Sequence, residues 1–165
     1  MEFELRDATP TDLPGILAIV NYNILNSTAV YDYDPKTLAD LQGWFDERHH
    51  AGLPILVAGK NDTIVGYGSY GPFRFKQGYR FTVEHSVYTL HGHSGKGIGR
   101  QVLLALIAKA KSAGYHTMIG GIDAENKGSI EFHKKLGFIE TGTINEAGYK
   151  FDRWLDLTFM QLMLS

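Results

Sequence analysis

Cysteine is absent from all 165 residues. That excludes a disulfide framework, a cysteine-based metal site and a covalent acyl-cysteine intermediate, so any acyl transfer by this chain is direct. An excess of charge of one sign is missing too. Lys and Arg number 16 against 18 Asp and Glu, a formal net charge of −2, which leaves no overall field to attract nucleic acid or an anionic membrane. No run of about 18 apolar residues occurs, and Met1 to Arg6 is not a basic segment leading into an apolar one. The expectation is a cytoplasmic protein with neither a nucleic-acid nor a membrane partner. There is no internal repeat, low-complexity tract or linker, so residues 1–165 read as a single domain.

What is present is 44% hydrophobic residue content in periodic blocks. Phe3 and Leu5 suggest a short strand. Thr9-Pro10-Thr11-Asp12 reads as a helix start, followed by a stripe of Leu13, Ile16, Leu17, Val20 and Ile24. A second helix is expected from Pro35 to His50 with Leu38, Leu41 and Phe45 inward. The apolar runs 55–58 and 64–68 flank Lys60-Asn61-Asp62 as a hairpin. A strand at 81–89 leads through a glycine-rich loop to a helix over Gly97–Ala113, with Ile98, Val102, Leu103, Leu106, Ile107 and Ala110 on one face. A strand at 117–122, a helix at 126–136 and strands at 139–143 and 153–164 complete the pattern. The fold class is therefore α/β (α+β mixed), a mixed central β-sheet with helices on both faces.

Gly95-Lys96-Gly97-Ile98-Gly99-Arg100 lies between a predicted strand and a predicted helix. Its glycines permit a tight turn that gathers N–H groups at a helix N-terminus, a site suited to pyrophosphate, with Lys96 and Arg100 at the rim. By itself such a loop is a weak signal, and many are only tight turns. A magnesium-dependent phosphate loop needs Ser or Thr after the lysine, where Gly97 stands; a dinucleotide loop needs an acid some 20 residues on, where Ile119 and Gly120 stand. His49-His50 and His91-x-His93 lack a third ligand at suitable spacing, so no metal is expected.

Five blocks in order carry a family resemblance: Thr82-Val83-Glu84-His85-Ser86-Val87-Tyr88, the loop 95–99, Asn126 with Ser129-Ile130, His133 through Leu136-Gly137-Phe138, and Gly148 with Lys150-Phe151 and Arg153 to Leu157. Over nearly the whole chain the sequence resembles the GCN5-related N-acetyltransferases, and within them the phosphinothricin and methionine sulfoximine (or sulfone) acetyltransferase-like group. The resemblance implies the GNAT fold, a sheet splayed between its fourth and fifth strands, and acetyl-CoA as cosubstrate. It further implies that Val87, Tyr88 and Thr89 contact the pantetheine arm through their backbone, that Gly95, Lys96, Gly97, Ile98, Gly99 and Arg100 cradle pyrophosphate, and that Asn126 holds the cofactor from the other side. Ser94 departs from the Arg or Gln common at the start of this loop, which shifts the burden to backbone groups and Lys96. A homodimer is the implied assembly.

The implied partner is a small-molecule amine acceptor. A bound ammonium must lose a proton before it attacks a thioester. Strand alternation places Glu84, Ser86 and Tyr88 on one face and Val83, His85 and Val87 on the other. Glu84 is the leading candidate base, in agreement with the carboxylate proposed there in the family; the bland alternative is a salt bridge to Arg74 or Arg80. A backbone N–H near Val87 polarises the thioester carbonyl. His133 occupies the place of a tyrosine acid in many relatives and is either a proton donor or a packing residue. Arg74, Arg80 and Lys76 suit an anionic amino-acid acceptor, Phe73, Phe75 and Tyr31 its apolar part, and Glu84, His85 and Ser86 complete the expected acceptor set, although loop arginines are commonly just solvated. Trp154 and Lys150 read as packing residues of the last strand.

Overall fold

The computed structural model describes residues 2–165. Strand β1 (Glu4–Asp7) leads through a single 3-10 turn at Pro10–Asp12 into α1 (Leu13–Asn26), and α2 (Leu38–His50) follows. The hairpin β2 (Ile55–Lys60) and β3 (Thr63–Pro72) precedes β4 (Thr82–Thr89) and α3 (Ile98–Ser112). The chain then alternates through β5 (Thr117–Asp123), α4 (Lys127–Lys135), β6 (Ile139–Lys150) and β7 (Arg153–Met163). The seven strands form one sheet in the order β1-β2-β3-β4-β5-β7-β6.

Local chemistry accounts for these elements. Asn61 and Asp62, and again Phe151 and Asp152, adopt positive φ, the two-residue turn whose twist matches that of a hairpin. Thr9 N–H donates to Asp12 Oδ2 at 2.8 Å, and the same carboxylate takes a bidentate pair from Arg6 at 2.7 and 2.8 Å. Gly114 and Gly137, at φ +85° and +95°, stop α3 and α4.

Two apolar layers cover the sheet. Leu13, Ile16 and Ile19 of α1 and Leu41 and Phe45 of α2 pack on Ile55, Val57 and Tyr67. On the opposite face Ile98, Val102, Leu103, Leu106, Ile107 and Ala110 of α3 are buried, all six as their spacing predicts, together with Ile130 of α4. Helices on both faces explain why residues 65–71 of β3 are buried without alternation.

The decisive feature is where pairing stops. The single parallel pair, β4 with β5, has only three registered positions, Thr82↔Thr117, Val83↔Met118 and Glu84↔Ile119. Beyond them β4 stays with β3 as far as Thr89↔Gly66, and β5 stays with β7 as far as Asp123↔Leu157. The sheet splays, and residues 85–89 of β4 have no partner on the β5 side.

Three details differ from the sequence reading. Helix α2 begins at Leu38, because Thr37 caps it by accepting from Asp40 N–H at 3.1 Å. Leu38 is consequently the first residue of that helix, outside its inner stripe and 49% exposed. Strand β6 runs on to Lys150 through register shifts at Glu140/Gly142 and Ile144/Gly148, irregularities that break the alternation a strand is read by. Among the described residues no helix is long and apolar enough to cross a membrane.

Candidate active site

The splay opens into a cavity of about 300 Å³. One wall is β4 from Glu84 to Tyr88, the facing wall is Gly121 to Asp123 of β5, and the ends are closed by the loop at Thr28 to Tyr31 and by α4. Glu84 reaches across the gap. A Cβ on Gly121 would lie 3.2 Å from Glu84 Oε2, so the glycine leaves the room that the carboxylate uses. Among the described residues Glu84 is in no ion pair. Burial raises its pKa above the ordinary carboxylate value, and the charge of Arg74 offsets this only in part. The salt-bridge alternative survives as a long-range influence of Arg74, without contact.

On the other face of β4 His85 is buried against α4. Its Nε2 lies 3.1 Å from Nε2 of His133, the rings stack at 5.0 Å and 19°, and Phe138 packs edge-on to both. His133 Nδ1 lies 2.7 Å from the Ser129 carbonyl. A carbonyl only accepts, so His133 carries its proton on Nδ1. His133 therefore lines the cavity with both ring nitrogens engaged. Burial lowers the pKa of His133 and takes His85 down to about 3, with the neighbouring His133 adding to the second effect.

The glycine loop has the conformation its composition suggests. Gly95 and Gly97 sit at φ +76° and +80°, and a Cβ on either would meet open space. Gly97 is the left-handed N-cap of α3, so these glycines serve backbone conformation and close approach, with the first N–H groups of the helix pointing outward. Lys96 and Arg100 are exposed beside them, while Ile98 is buried under the loop and Gly99 is half-buried. Asn126 caps α4 by accepting from Ser129 N–H at 3.1 Å, which leaves its amide N–H groups to the cavity it lines. Backbone at Val87, Tyr88 and Thr89 without a strand partner on the β5 side, an anion-accepting loop and an amide opposite are what a pantetheine diphosphate requires, so these residues fit coenzyme A.

The expected acceptor set is divided. Tyr31, Glu84, His85 and Ser86 line the cavity; Arg74, Phe75, Lys76 and Arg80 do not. Arg74 stacks on Phe73 at 5.1 Å and Arg80 on Phe81 at 4.8 Å, while Phe75 is 95% exposed. Residues 74–81 are exposed, and Phe73 is half-buried with its ring edge-on to Tyr79 and Phe159.

Several residues escaped the sequence reading. Asp123 is buried at the end of β5 and accepts from the Thr28 hydroxyl and from Glu125 N–H. Lys150, read as packing, is buried and donates to the carbonyls of Ser27 and Val30 at 2.7 and 2.5 Å, tying down the loop that closes the cavity. A second cavity of about 550 Å³ shares Ser86 and Tyr88 with the first and contains Arg48. The Arg48 guanidinium donates to the Tyr70 carbonyl at 2.5 Å and lies 5.6 Å from the Trp44 ring, and no carboxylate pairs with it among the described residues. One signal was available: two adjacent glycines, Gly120 and Gly121, inside a strand mark a close approach from neighbouring groups.

Comparison with known proteins agrees with this geometry. Residues 19–138 match the model of the acetyltransferase (GNAT) family. An L-methionine sulfoximine/L-methionine sulfone acetyltransferase of Pseudomonas aeruginosa is 49% identical over 165 residues, 99% of this chain and 96% of the relative. A phosphinothricin N-acetyltransferase of Alcaligenes faecalis is 34% identical over 98% of this chain and 82% of its own length. The crystal structure of a phosphinothricin acetyltransferase from Sinorhizobium meliloti in complex with acetyl-CoA superimposes with a TM-score of 0.96 at 36% identity, covering 100% of this chain and 90% of that one. With its splayed fourth and fifth strands, its glycine loop at the head of α3 and a sequence match over most of its length, this chain belongs to the GNAT acetyltransferase family.

Proposed function

We infer that this protein is an acetyl-CoA-dependent N-acetyltransferase that acetylates the amine of a small amino-acid-like acceptor by direct transfer. The observation that carries the reading is the Glu84 carboxylate, half-buried and unpaired over Gly121, in a cavity bounded by the unpaired stretch of β4. Acetyl-CoA supplies the activated acetyl thioester. The backbone of Val87 to Thr89 binds its arm, the N–H groups of residues 95–100 with Lys96 and Arg100 bind its diphosphate, and Asn126 holds it from α4. Glu84 takes the proton of the acceptor's ammonium group, directly or through water. The raised pKa of Glu84 makes it a stronger base than a solvated carboxylate, suited to that task near neutral pH.

An acceptor of the phosphinothricin or methionine sulfoximine type is supported by the names of the relatives and by Arg48, a half-buried cation with no carboxylate in contact among the described residues, placed to receive one from a ligand that spans the two cavities. A homodimer belongs to the same reading: Ile144, Tyr149, Phe151 and Trp154 leave an apolar surface on the β6–β7 edge, Trp154 at 62% exposure, and a second copy is its proposed occupant.

The test is release of coenzyme A thiol from acetyl-CoA with phosphinothricin, methionine sulfone, methionine sulfoximine, spermidine and an aminoglycoside as acceptors; the chain contributes no thiol of its own. Release with the amino-acid analogues alone is the expected result. Release with spermidine or the aminoglycoside alone overturns the acceptor class and keeps the chemistry.

A further inference from the structure

His85 lines the cavity that holds Glu84, yet it is no acceptor ligand in shape. Its ring is 7% exposed, turned to the α4 face and stacked on His133, itself 5% exposed. The hydrogen-bond chain between them has one consistent direction. Ser129 O accepts from His133 Nδ1 at 2.7 Å, which leaves His133 Nε2 as an acceptor while the ring is neutral. The 3.1 Å contact is then a donation from His85 Nε2–H, and His85 Nδ1 is the bare, buried nitrogen with no partner. Reversing the chain would set a bare His133 Nδ1 against a carbonyl oxygen. The pair also bridges the splay: His85 comes from β4, His133 from α4, and both rings pass over Gly120 of β5, where a Cβ would lie 2.9 Å from His85 Nε2 and 3.4 Å from His133 Nε2.

We propose that His85 is a positioning residue of the transfer reaction, donating from Nε2 to His133 Nε2 so that His133 is held as the neutral Nδ1–H form and α4 is latched to β4 beside the cavity. The proposal rests on the acetyltransferase reading above. One consequence is that His133 has no proton on Nε2 while the latch holds, and its Nδ1 proton is engaged by the Ser129 carbonyl, which removes it as the acid that protonates the departing thiolate. Another concerns Glu84: an imidazolium on the cavity wall would stabilise its carboxylate and weaken it as a base, and the latch excludes that cation. Around the rings stand Gly120 of β5, Phe132 and the Ser129 carbonyl of α4, and Phe138 beyond it. Among the described residues the charge influence on His85 comes from His133; Glu84, its neighbour in sequence, extends toward Gly121 instead.

The experiment is nitrogen-15 NMR of the histidine side chains across pH, on the full chain without ligand, for the wild type, His85→Gln and His85→Phe. Alongside it runs the pH profile of kcat and kcat/KM. The expected wild-type spectrum has neutral His133 protonated at Nδ1 only, titrating below the ordinary histidine value. In His85→Phe, with no donor facing Nε2, His133 is expected to take up a proton more readily than in the wild type while burial still holds it below the ordinary histidine value, and the rate profile acquires a second acidic limb with that titration. His85→Gln, whose amide N–H can replace the donor, restores the single limb. A wild-type His133 protonated at Nε2, or a His133 titration that is the same in His85→Phe as in the wild type, overturns the proposal. The spectra need no turnover, so failure to find an acceptor leaves this outcome intact and counts against the function reading alone.

Discussion

A carboxylate that is half-buried without a cation in contact holds its proton more firmly than one in water, and this is the condition of Glu84. The ionised form is the base, so activity is expected to fall as pH drops through a value above the ordinary 4.5 of a glutamate. Glu84→Gln is expected to remove that limb and lower kcat by roughly 10²-fold, with acetyl-CoA affinity by calorimetry retained. An unchanged kcat would exclude Glu84 from the proton transfer. The side of β4 on which Glu84 lies was readable from alternation alone. That Glu84 has no ion pair was not, because Arg74 and Arg80 are near it in sequence and only the packing turns them onto Phe73 and Phe81. Arg48 was hidden for a related reason: it lies in a helix whose apolar stripe reads as core, and its missing carboxylate is a fact about neighbours distant in sequence.

At the scale of elements, two glycines do different work. Gly97 holds a left-handed φ of +80° at the head of α3, and Gly97→Ala is expected to cost about 1–3 kcal/mol of local strain there. The change should raise the KM for acetyl-CoA more than it lowers kcat, a split that steady-state kinetics resolves. Gly120→Ala places a Cβ 2.9 Å from His85 Nε2 and 3.4 Å from His133 Nε2, at a buried position. Urea unfolding should show a loss of about 1–3 kcal/mol, and acetyl transfer should fall as α4 moves away from β4. A midpoint equal to that of the wild type would show that the histidine pair yields easily. The helix α3 was legible residue by residue, since its stripe is continuous and its ends are glycines. Strand β6 was legible only at its start, because its bulges break the two-residue period that identifies a strand.

For the whole molecule, the buried histidines link folding to pH. In the unfolded chain a histidine titrates near 6.5, whereas His85 in the fold does so near 3 and His133 also lies below its ordinary value. Between about pH 6.5 and 3 the unfolded state binds protons that the native state refuses, so stability must fall as pH falls through that window. Glu84 acts oppositely, since its raised pKa lets the fold hold a proton the unfolded chain releases. The comparison that isolates the pair is therefore between wild type and His85→Gln: chemical unfolding at pH 8, 6.5 and 5 should show a shallower decline in the variant. Parallel slopes would mean that His85 takes up its proton in the fold as readily as in the unfolded chain.

Sequence by itself determined most of the elements, the two helical faces, the turn and loop conformations, and the face of β4 on which Glu84 lies, because each depends on residues within a few positions of one another. Composition also settled that acyl transfer cannot pass through a cysteine. Only the tertiary structure decided what meets in the cavity. Asp123 with Thr28, Lys150 with the 27–30 loop and His85 with His133 are each joined across 48 or more residues, and no local period encodes such a meeting. The splay that makes the site is itself an absence of pairing beyond Glu84 and Ile119. It arises because two halves of a twisted sheet, each held by its own antiparallel partners and helices, diverge where their shared edge ends.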